Sequence, residues 1–136
     1  MISSADGHLS KARSLLEGAR LVMAVPLPSL AAREAYLGAF HAALALIVHR
    51  SGRAPRTHNG VHAEFARIAR EEGSVPREMV RFLSIAYEYK SEADYNVAQA
   101  APIGPDIACR AIAHAEELLT LVALLVGTPP HDPAAP

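Results

Sequence analysis

Two small groups of polar and aromatic side chains interrupt the apolar stretches of this chain, and their types suit proton transfer and anion binding. Tyr36, Phe40 and His41 stand in Ala-Tyr-Leu-Gly-Ala-Phe-His-Ala, and Lys90, Asp94 and Tyr95 close Tyr-Lys-Ser-Glu-Ala-Asp-Tyr; His58 and His62, four apart after Thr57, are further candidates. Histidine exchanges protons near neutral pH, and lysine balances a phosphate as a point charge. Tyr87, Lys90 and Asp94 recur at steps of three and four in line with Leu83. A helix therefore puts them on one face, at the edge of a core-facing stripe. The plain structural alternatives are a Lys90–Asp94 ion pair at a helix end, worth ~0.2–0.5 kcal/mol if exposed, and a His41 that is only a hydrogen-bonded core residue.

A second source of charge lies between residues 49 and 70. Arg50, Arg53, Arg56, Arg67 and Arg70, with His49, His58 and His62 among them, face only Glu64 before Glu71, which makes this the one locally basic region. It can hold phosphates or an acidic partner, or be a solvated helix face. His58 and His62 are spaced to offer two imidazoles to a metal, but no third ligand stands nearby, so no metal is expected and His58 reads better as a helix-capping or groove residue. No Gly-rich phosphate loop, zinc-type Cys/His cluster or Gly-x-Ser-x-Gly elbow is present. Dehydrogenase and hydrolase readings have nothing to rest on, and no cofactor is expected.

Five helices are expected to position these groups. The first runs from about Leu9 to Ala24, and Val-Pro-Leu-Pro ends it; Ser29 then suits an N-cap for the second, which continues to Gly52. A short third helix spans His58 to Glu72. Pro76 suits the first turn of the fourth, whose stripe of Met79, Leu83 and Ala86 leads to Lys90. Asn96 to Gly104 reads as a loop. The fifth helix starts at Pro105 or Asp106 and repeats Ile107, Ala111, Ala115, Leu118, Val122 and Leu125 at nearly heptad spacing, with Leu119, Leu121 and Leu124 broadening that seam. The expected fold is an all-α up-and-down bundle of four long helices and one short one, a single domain over 1–127 with a disordered Pro- and Ala-rich tail over 128–136. The excess leucine on the last helix points to a homodimer, against the alternative of a central helix in a monomer.

Composition sets wider bounds. At 136 residues, 51% hydrophobic and 20% charged, the chain can bury about two-thirds of its unfolded surface as one domain. A net charge of −1 gives no global attraction to nucleic acid, so any RNA contact must come from local charge. The single cysteine, Cys109, sits in an Ala-rich helical pattern and is expected to be a buried structural thiol in a reducing compartment. No signal peptide is read, and the longest nearly unbroken apolar run, Leu118 to Val126, falls short of the ~20 residues of a membrane span. A cytoplasmic protein without a membrane partner is the expectation.

Tyr36-x-x-x-Phe40-His41-Ala42, Thr57-His58-x-Gly60-Val61 and Ala93-Asp94-Tyr95, in that order, resemble one branch of the HEPN superfamily of small helical bacterial and archaeal domains, over roughly residues 8 to 127. That resemblance implies RNA-directed or nucleotide-linked work, often as half of a toxin–antitoxin pair with a nucleotidyltransferase partner. HEPN ribonucleases carry a late Arg-x4-6-His pair, in which histidine moves the proton and the arginine fork steadies the phosphate. Here Lys90 stands for that arginine, and Asp94 or Tyr95 for that histidine. Arg53 with His58 and Arg56 with His62 match the spacing, but at a loop and helix start instead of the late helix. The resemblance therefore implies an RNA- or nucleotide-binding module with weak or absent nuclease activity, its groove lined by Lys90, Asp94, Tyr95, His41 and His58, with Arg53 and Arg56 adding charge. The alternatives are a metal-independent ribonuclease toxin that uses His41, His58 or Lys90 catalytically, and a structural dimeric adaptor.

Overall fold

In a computed structural model, which describes residues 4–95 and 103–127, the chain forms α1 (Ser4–Ala24), α2 (Pro28–Ser51), α3 (His58–Glu72), α4 (Arg77–Tyr95) and α5 (Pro105–Gly127). No strand occurs among the described residues. The expectation of an all-α bundle with four long helices and a shorter third one holds. Most of the expected loop over 96–104 and all of the tail over 128–136 lie outside the described residues.

Helix α2 runs through the middle and touches each of the other four. Its alanines explain how: Ala31, Ala32, Ala35, Ala39, Ala42, Ala43 and Ala45 are all fully buried, and small side chains let neighbouring backbones come close without loss of helix propensity. Gly38 takes this furthest, because a Cβ there would come within 2.9 Å of the buried Leu16 side chain on α1. Larger residues fill the remaining space, with Tyr36, Leu46, Ile47, Phe65, Ile68, Leu83 and Leu118 all at 1% exposure or less. By length and composition α2 is apolar enough to cross a membrane, although no unbroken apolar run announces it, yet most of it is buried inside the bundle.

Several sequence expectations are corrected. Helix α1 begins at Ser4, five residues before Leu9, because Ala5 extends the buried series Leu9, Ala12, Leu16, Ala19 by one more turn. Ser29 does not cap α2: Pro28 occupies the first turn and Leu27 the cap position, without a side-chain bond. Proline supplies the helical φ and lacks the N–H that a cap would have to satisfy. Pro76 lies just before α4, not within it. Cys109 is exposed, because Ala108, Ala111, Ile112 and Ala115 take the inward face of α5 and the next residue along a helix points about 100° away.

Candidate functional site

The three motifs meet where α2, α3 and α4 come together. Thr57 caps α3, its Oγ1 accepting a hydrogen bond from the Gly60 N–H at 2.9 Å, an interaction worth about 1 kcal/mol. Gly60 sits closely beneath it, since a Cβ there would approach Thr57 Oγ1 to 3.0 Å and Pro55 Cβ to 3.2 Å. Val61 is fully buried and anchors the same turn. The cap, the close approach and the anchor together fix the rotation of α3. That rotation aims His58 and His62 at α2.

Both imidazoles converge on one phenol. Tyr36 Oη lies 2.7 Å from Nδ1 of His58 and 2.9 Å from Nε2 of His62, while the tyrosine is fully buried. Aromatic rings close around it: the Tyr87 centroid is 5.5 Å from that of Tyr36 and 5.2 Å from that of His58, and Phe40 lies 4.4 Å from His58. Burial, with Tyr87 beside it, pushes the Tyr36 phenol upward. Burial, then the nearby Lys90 charge, lowers His58; burial, then His58, lowers His62. Both imidazoles are therefore neutral at pH 7. A hydroxyl between two ring nitrogens donates to one and accepts from the other. When Tyr36 donates to His62, His58 donates through Nδ1 and its Nε2 is a bare acceptor; in the opposite arrangement His58 Nε2 carries a proton. His58 Nε2 has no hydrogen-bond partner among the described residues.

Cations border this pair. Asp94 accepts from Lys90 Nζ at 2.8 Å on one oxygen and from Arg33 Nε at 2.6 Å on the other. The hydrogen bond to Asp94 raises Lys90, and the one from Lys90 is the largest cause holding Asp94 down. Glu34 Oε1 lies 3.7 Å from the same Arg33 guanidinium, so two cations and two carboxylates leave the group with no formal net charge at pH 7. Lys90 Nζ also lies 5.5 Å from the ring centroid of Tyr95, a cation–π distance, and Tyr95 is 73% exposed.

Of the residues expected at the site, the fold brings together His58, Lys90, Asp94 and Tyr95. His41 turns to α1, its Nδ1 3.0 Å from Nδ1 of His8, with the Phe40 ring in contact with both His41 and His58. Arg53 and Arg56 border a separate hollow with Ser51, Pro55 and Glu64. The basic region is thinner than its composition suggests, because Arg50 pairs with Glu72 and Arg67 with Glu64 and Glu71. Among the described residues, no third His, Cys, Asp or Glu joins His58 and His62 in a metal-binding group. Arg33 and His8 were missed from sequence. Arg33 was findable, since it lies three residues before Tyr36 and shares its helix face. Beside it, Glu34 Oε2 is buried without a hydrogen-bond partner among the described residues. The family model described as the HEPN domain matches residues 5–125. No curated protein matches the chain.

Proposed function

Because the chain belongs to the HEPN-domain family, matched over nearly its whole length, we propose that it is an RNA- or nucleotide-binding module of a toxin–antitoxin pair, with weak or absent nuclease activity. The observation that supports this most is the meeting of a neutral His58 with Lys90, Arg33 and Asp94 beside the exposed ring of Tyr95. Lys90 and Arg33 offer charge to a phosphate, and Tyr95 offers a face on which a base can stack. Weak catalysis follows from the same arrangement. Asp94 already occupies both cations, so little field remains for charge developing on phosphorus, and lysine lacks the paired donors of arginine. One feature favours the ribonuclease reading as a second choice: the His58–Tyr36–His62 chain can pass a proton to or from His58 Nε2.

Fluorescence anisotropy with a labelled single-stranded RNA is expected to give weak, salt-sensitive binding. Lys90→Ala should weaken it and reduce the salt slope by about one, and Tyr95→Ala should weaken it without changing that slope. In EDTA the RNA should stay intact over hours. Rapid cleavage abolished by His58→Ala would establish the ribonuclease instead, and RNA binding indifferent to Lys90→Ala would remove the site.

We propose further that the protein acts as a homodimer through the outer strip of α5, where Leu121 and the 63%-exposed Leu124 border a shallow hollow. Light scattering at micromolar concentration should give twice the chain mass, and Leu121→Glu should halve it. Monomer mass for the unaltered protein would end this part of the reading.

A further inference from the structure

Among the described residues Arg20, Arg33, Arg50 and Arg67 are each paired with a carboxylate, whereas Arg13, Arg53, Arg56, Arg70, Arg77, Arg81 and Arg110 have no ion-pair partner. Four of the unpaired ones, Arg70, Arg77, Arg81 and Arg110, border two hollows beside α4. One, of about 680 Å³ between α3 and α4, is edged by Arg70, Arg77 and Arg81 and has no acidic residue in its lining. The other, of about 250 Å³ between α4 and α5, is edged by Arg81, Arg110 and His114, with Glu78 its only carboxylate. Arg81 belongs to both, so the two hollows flank the face of α4 that carries Arg77 and Arg81. Their floors are apolar: Val75 and Val80 in the first hollow, Phe82 and Ile107 in the second. Ile85 is 44% exposed on the same helix.

From this pattern we infer that the outer face of α4 docks an acidic amphipathic helix of a partner protein. Arg77 and Arg81 are four residues apart and therefore about 6 Å apart along one side of α4. Carboxylates at the same spacing on an incoming helix can meet both. Arg70 and Arg110 flank them from α3 and α5 and set the width of the seat. The apolar floor decides between a peptide and a nucleic acid: a phosphate backbone gains nothing from Val75, Val80 and Ile85, whereas leucine or isoleucine on the inner face of a helix loses its hydration there. Unpaired cations around an apolar centre speed encounter and select an acidic occupant over a basic one. Neither hollow shares a lining residue with the His58 and Lys90 site, so this inference stands apart from any RNA chemistry.

The test is fluorescence anisotropy of the full chain with a labelled synthetic helix that carries glutamates on one side and leucines on the other, spaced four residues apart, and with the same peptide bearing lysine for glutamate. The acidic peptide should bind and weaken as salt rises, and the basic one should not bind. Arg81→Glu and Ile85→Asp should each weaken the acidic peptide about tenfold, and Arg53→Glu, on the far loop, should leave it unchanged. If circular dichroism shows that Arg81→Glu has lost its helices, Arg110→Glu is judged by the same criterion. Equal binding of both peptides, no binding of either, indifference to the α4 substitutions, or loss of RNA binding in place of peptide binding would each overturn the proposal.

Discussion

Tyr36→Ala is expected to cost about 3–5 kcal/mol of folding stability, the range for removing a large aromatic side chain from a core. Its ring is fully buried and packs against Phe40, His58, His62 and Tyr87, so the void has polar and apolar walls that cannot all close. Its hydroxyl is also the shared partner of two imidazoles. Tyr36→Phe separates these contributions. The ring stays, the hydroxyl goes, and the cost should fall to about 1–2 kcal/mol, because two half-buried nitrogens lose their partner. Urea denaturation followed by circular dichroism gives both values. A loss below about 1 kcal/mol for Tyr36→Ala would mean that the phenol is not the keystone between α2, α3 and α4.

Acid should destabilise the protein well before its carboxylates titrate. His41 is held down to about 4 by burial first, then by His8 and Lys11, and burial also lowers His8. Their two Nδ1 atoms are 3.0 Å apart, so one nitrogen must carry a proton and the other must not. A second proton sets two N–H groups against each other. His58 and His62 are lowered as well. Because these folded-state values lie below the ordinary 6.5, the unfolded chain binds more protons between about pH 6.5 and 4. Stability is thus complete above 6.5 and drains away as pH falls through that window. Thermal melts should show Tm dropping by roughly 10 °C between pH 7.5 and 4.5. His41→Gln, which can still bond His8 but does not titrate, should flatten the curve; an unchanged curve in that variant would rule out the His8–His41 pair as the acid-sensitive contact.

The two predictions draw on information of different reach. Helical period is local: Leu9, Leu16, Leu83, Leu118 and Val122 announce their inward faces through neighbours three and four residues away, and each is buried. The start of α3 at His58 was legible for the same reason, although its cap is Thr57, where the sequence had offered His58 as a capping or groove residue. Lys90 and Tyr95 show the limit of such reasoning. Five residues of ideal helix turn them about 140° apart, yet in α4, which spans Arg77–Tyr95, the lysine Nζ lies 5.5 Å from the centroid of the ring. Side-chain length, not backbone period, decided that contact.

By itself the sequence determined the helices, the stripe each one buries and the family to which their order belongs, because these depend on residues within a turn or two. Only the tertiary structure decided which polar groups meet. Arg33 finds Asp94 across 61 residues, His41 finds His8 across 33, and Tyr36 gathers His58 and His62 across 22 and 26. Each meeting depends on how far one helix is rotated against another, and that rotation is set by the fit of Ala-lined faces on α2 to their neighbours. Packing fixes it over the whole bundle, and no local spacing encodes it.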